Sequence, residues 1–166
     1  MIKRALLLLT VLLSVACAHD PRVSIVEVRD PELVEAARGA VEAWETATEG
    51  DVKWVIGRCE SRDDADCIVV EFGDAHTFEA RTVRAWPYEG AITKVSRPWW
   101  DGLENHTKVS TIAHELGHAL GLLHTSDEFD LMYSRDTGHS NCILQPSLDQ
   151  YHHLYGTEGK ETCIPD

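Results

Sequence analysis

The chain has 166 residues, with 15 basic and 28 acidic side chains and a formal net charge of −13. That balance argues against nucleic acid or anionic lipid as a partner, because both are bound by clustered cations. The length suits one domain, and 43% hydrophobic residues supply a core for it.

In chain order, residues 1–18 read as a processing segment and 19–166 as the domain. Lys3 and Arg4 form a basic n-region, and the apolar stretch 5–15 is too short to span a membrane. Two processing routes stay open. Ala16-Cys17-Ala18 is a small-x-small cleavage site that would release a chain starting at His19. Leu13-Ser14-Val15-Ala16-Cys17 resembles a bacterial lipoprotein signal, with Cys17 lipidated as the first mature residue, and the cysteine at that place favours this route. Either one exports the protein; lipidation would add a membrane tether without a transmembrane helix. Without Lys3 and Arg4, thirteen basic residues face 28 acidic ones, a net of −15.

A first helix is expected from Pro31, capped by Asp30, with Leu33, Val34, Ala37, Val41 and Trp44 on one face and Gly50 near its end. Strands follow at 52–56, 67–72, 82–86 and 91–96. A second helix is expected over 107–123, with Val109, Ile112, Leu116 and Leu120 spaced three and four apart. Ser147 and Gln150 read as a capping box opening a last helix that Gly156 ends. Apart from Cys17, the cysteines are Cys59, Cys67, Cys142 and Cys163. An even number in an exported chain suggests two disulfides. Of three possible pairings, sequence proximity favours Cys59–Cys67 and Cys142–Cys163.

The second helix carries H-E-x-x-H-x-x-G-x-x-H, from His114 to His124. His114 and His118 are four apart and share a helix face, so one zinc can take both imidazoles at about 2.0–2.1 Å. Glu115 lies about 100° further round the helix, beside the metal, where it can act as general base toward a water. Gly121 permits positive φ, and the turn it allows returns His124 as a third ligand. Three protein ligands leave one position open, as in catalytic rather than structural zinc sites.

This extended motif, with Asp130-Leu131-Met132-Tyr133 beginning six residues after His124, resembles the metzincin metalloproteases and most closely their matrixin branch. The match is strongest over 109–134, and 148–156 resembles the closing helix of matrixin catalytic domains. The resemblance implies an α+β fold with a mixed twisted sheet, three main helices and a zinc cleft. It implies a zinc endopeptidase with one catalytic Zn2+ and Met132 as the Met-turn beneath the metal. A peptide substrate would bind as an extended strand along the edge strand 82–86, with 133–145 as the wall of the main specificity pocket and Cys142 anchoring it. A monomer is expected.

Some residues depart from the branch. Ser134 stands where matrixins usually carry Pro, and Arg84 stands where their edge strand offers a histidine, so no second structural zinc is expected. Asp63, Asp64 and Asp66 could bind calcium, but a solvated loop is the better reading. His106, His139, His152 and His153 read as surface residues, with His76 unassigned. Gly57-Arg58-Cys59 is similar to the cysteine switch of matrixin propeptides, although the surrounding motif is missing. The rival reading is a catalytically silent zinc-containing surface module; the intact Glu115 argues against it, because binding needs no general base.

Overall fold

The computed structural model describes residues 20, 22–61, 65–73, 80–84, 90–134 and 141–165. The processing segment with Cys17, along with His19, His76, His139, Asp63 and Asp64, lies outside them.

The first element is a strand, β1 (Val23–Val28), that the sequence reading does not include. A 3-10 turn (Pro31–Leu33) then leads into α1 (Val34–Ala47). Asp30 makes no side-chain cap; its carboxylate accepts from the Phe72 amide at 2.9 Å instead, tying the turn to the sheet. Next come β2 (Lys53–Ile56), β3 (Cys67–Gly73), β4 (Ala80–Arg84) and β5 (Ala91–Ser96). A single helical turn α2 (Arg97–Trp100) precedes α3 (Asn105–Ala119). The chain closes with β6 (Cys142–Ile143), α4 (Gln145–Tyr155) and β7 (Thr162–Cys163).

The five long strands form one mixed sheet in the order β2-β1-β3-β5-β4, parallel except for β4, which pairs antiparallel with β5 at the edge. Central β3 is apolar on both faces because both are covered. Ile68 and Val70 face the main core, while Cys67 and Val69 join Cys59 in a smaller cluster. Both favoured disulfides form, Cys59–Cys67 and Cys142–Cys163. Cys59 is therefore a half-cystine and has no free thiolate to act as a switch.

α1 buries Ala36, Ala37, Ala40, Val41, Ala43, Trp44 and Ala47. Small residues at these spacings let α3 approach closely. A Cβ on Gly39 would lie 2.9 Å from Val109. Trp44, fully buried, donates its indole N–H to the Ala113 carbonyl at 2.8 Å, so the two helices are joined by a satisfied buried polar contact.

The capping box at Ser147 does not form. α4 starts two residues earlier at Gln145, after Leu144, with Pro146 in its first turn. Ser147 is fully buried and bonds Asp130 instead.

Candidate metal centre and cleft

α3 ends at Ala119, four residues before the expected boundary, for a specific reason. Gly121 adopts φ 93°, and two bonds close the helix end: Gly121 N–H to His118 O at 2.9 Å and Leu122 N–H to Gly117 O at 3.0 Å. This pair is the Schellman arrangement, which turns a helix sharply out of its axis. The turn carries His124 back over α3.

Three imidazoles meet there. His124 Nε2 lies 3.3 Å from His114 Nε2 and 3.2 Å from His118 Nε2. His114 Nδ1 sits 2.7 Å from the Leu131 carbonyl, and His118 Nδ1 sits 2.8 Å from the Leu122 carbonyl. A carbonyl only accepts, so in both rings Nδ1 carries the hydrogen and Nε2 keeps a lone pair. With His124 Nε2 within reach of both, the three rings form a donor set that one cation could bridge. Tetrahedral zinc with bonds of roughly 2.0–2.1 Å spaces its ligand atoms by roughly 3.3–3.4 Å, close to the two separations from His124 Nε2. Burial, ahead of the mutual repulsion of the rings, lowers the His114 pKa to about 4, despite the opposing bond to Leu131. Burial also lowers those of His118 and His124. All three are therefore neutral at pH 7, as a metal requires.

Glu115 follows His114 and lines the same cleft. It is 5% exposed, and its Oε2 has no hydrogen-bond partner among the described residues. Burial raises its carboxyl to about 7, against the opposing effects of Thr82 and the Arg81 charge. The Thr82 hydroxyl donates to the Glu115 carbonyl at 3.0 Å, so β4 is fastened to α3 at this residue. A buried carboxyl with an idle oxygen beside three convergent imidazoles is suited to moving a proton.

Met132 lies beneath, fully buried in the tight turn Asp130–Tyr133, which is closed by Tyr133 N–H to Asp130 O at 3.0 Å. Asp130 was not singled out by the sequence, yet its buried carboxylate accepts from Ser147 Oγ at 2.7 Å, Ser147 N–H at 2.9 Å and Met132 N–H at 3.3 Å. It clasps the turn to α4. A carboxylate beside an apolar Leu-Met pair was the available signal. Cys142 accepts from the Leu131 amide through its carbonyl at 2.6 Å, so the Cys142–Cys163 bridge pins the same turn from the other side.

A cleft of about 600 Å³ runs between β4 and this turn, past the three histidines and Glu115. Its walls include Thr82, Leu131, Tyr133 and Asn141. The other histidines stay apart: His106 lies near Glu104 and His152 near Glu158, both at 3.6 Å, and His153 is exposed.

A family model for matrixins matches residues 26–155. The chain belongs to the matrixin family. No curated protein sequence matches it. The family explains why this matrixin joins a mixed sheet, three main helices and a histidine-lined cleft in one domain-sized unit, and it supports zinc metalloprotease chemistry. Among its described residues, the other set of potential ligand atoms is Glu27 with Cys59 and Cys67. Those two sulfurs are in a disulfide, so that set is no site for a metal.

Proposed function

We propose that this matrixin is an exported zinc endopeptidase, with His114, His118 and His124 holding one ion and Glu115 as general base. The observation that carries the reading is His124 Nε2 at zinc spacing from both His114 Nε2 and His118 Nε2, with the partnerless Glu115 oxygen in the same cleft. Zinc bound there supplies Lewis acidity and brings the pKa of a coordinated water toward neutrality. Glu115 takes a proton from the attacking water and hands it to the leaving amine nitrogen. The free edge of β4 offers backbone N–H and C=O groups to an extended peptide, which fixes register without demanding one sequence. Leu131 O and Leu122 O hold the first two histidines in the tautomer a metal needs. Met132 supports the site from below and binds nothing.

Export is supported by the basic and apolar segment at residues 3–15 and by two disulfides, which persist in oxidising compartments. Mass spectrometry of the mature N-terminus would separate a lipidated Cys17 from a start at His19. The function itself is tested by a broad peptide library and zinc-loaded protein, with a chelator control. Internal cleavage that the chelator stops is the expected result; a wild-type protein carrying zinc that cleaves nothing would end the protease reading.

A further inference from the structure

The cleft is electrically lopsided. At one end the Arg84 guanidinium lies over the α3 turn, its Nη1 2.7 Å from where a Cβ on Gly121 would be. Arg84 is exposed, and no carboxylate among the described residues pairs with it. Arg81 also lines the cleft, and its charge reaches Glu115. The other end is walled by Thr107, Ser110, Thr111 and Asn141, which are polar but uncharged. Among the described residues, and apart from Glu115 and the histidines, the charged residues lining the cleft are these two arginines, in a chain of net charge −13. An exposed arginine with no carboxylate partner among the described residues, at one end of the cleft of an acidic chain, is placed to meet a partner's carboxylate.

β4 runs in the same sense as α3, since Thr82 meets Glu115 and Arg84 meets Gly121 further along. A peptide adding antiparallel to β4, the commoner pairing, therefore has its N-terminal part beside Arg84 and its C-terminal part beside Ser110 and Asn141. Strands rise about 3.3 Å per residue, so Arg84 stands about two residues beyond the Thr82–Glu115 contact. We propose that Arg84 selects peptides with aspartate or glutamate two or three residues to the N-terminal side of the scissile bond.

The proposal rests on the protease reading above, and its test separates the two. Paired peptides differing only as Glu against Gln at each position are cleaved by zinc-loaded wild type, Arg84→Lys, Arg84→Gln and Arg84→Glu. The wild type should favour the acidic peptide by roughly three- to fivefold at that place, in keeping with an exposed ion pair. The preference should persist in Arg84→Lys, vanish in Arg84→Gln and turn toward Lys-bearing peptides in Arg84→Glu. It should also shrink in wild type at raised ionic strength, a readout that needs no variant to fold. Cleavage without acidic preference, preference only C-terminal to the bond, or preference indifferent to Arg84 and to salt would each overturn the proposal and leave the protease reading standing. No cleavage by zinc-loaded wild type would overturn both.

Discussion

Met132 Sδ occupies the space that a Cβ on Gly117 would need, with Trp44 Cζ2 only 2.9 Å from the same point. Gly117 lies between the two α3 histidines, so the methionine and the tryptophan are packed against the backbone that carries them. In an unpacked helix, Gly→Ala would gain about 1 kcal/mol. Here Gly117→Ala should cost a net of up to about 2 kcal/mol, because overpacking a filled core costs about 1–3 kcal/mol. Urea unfolding of the metal-free protein measures this; a variant as stable as wild type would mean that Met132 yields freely.

Glu115→Gln keeps the shape of the side chain and removes the base. Activity should fall by roughly 10²–10⁴-fold, the usual contribution of a positioned base. Zinc content should stay unchanged, because the carboxyl is not one of the three convergent groups. Replacing His114 with Ala should instead lose zinc and activity together. If Glu115→Gln retained full activity, the proton path would have to run elsewhere.

The metal-free protein should show opposing pH effects from adjacent residues. His114 is lowered from 6.5 to about 4, so as pH falls through that window the unfolded chain gains a proton before the folded one and stability is lost. Glu115 is raised from 4.5 to about 7, so over nearly the same window the folded state gains the proton first and stability rises. The two largely offset, and the lowered His118 and His124 tip the balance toward acid destabilisation. Chelated Glu115→Gln should therefore lose stability more steeply than wild type between about pH 7 and 4.5, and His114→Asn less steeply. Denaturant melts across that range would check the order; identical slopes would contradict it.

Removing the Cys142–Cys163 bridge as a double Ser variant should cost about 3 kcal/mol, since it closes a span of 21 residues. The Cys59–Cys67 bridge spans 8 residues and should cost less, about 2.5 kcal/mol by the same loop entropy. The two should differ more in cleavage than in stability. Cys142 holds the Leu131 amide beside Met132, whereas Cys59 and Cys67 pack at Ile25 and Ile92 in the smaller cluster. Activity assays at a temperature where both variants are folded would test this. Equal activity would free the Met-turn from its dependence on Cys142.

Much of the chemistry was legible along the chain because it is local. His114, His118, Gly121 and His124 lie within one helix and its exit turn, where spacing dictates direction and a single positive φ dictates return. The apolar run at β3 and the close cysteine pairs were legible for the same reason. Misreadings came where a side chain had a distant partner. Asp30 and Ser147 carry the composition of helix caps, but the Phe72 amide and the Asp130 carboxylate claim them, through long-range bonds that are part-buried for Asp30 and buried for Ser147. The run Val23–Val28, with four β-branched residues in six, carried a strand signal of its own that went unread, and pairing with β2 and β3 sets it inside the sheet.

The sequence by itself therefore determined which three imidazoles would meet and which carboxyl would share their cleft. Only the tertiary structure decided how they are held: Leu131 and Leu122 carbonyls setting the tautomers, Thr82 fastening the edge strand to Glu115, and Arg84 lying over Gly121. Ligand spacing is a property of a few consecutive residues. Support is a property of residues far apart in the chain, whose meeting depends on how the sheet, α3 and the Met-turn pack together.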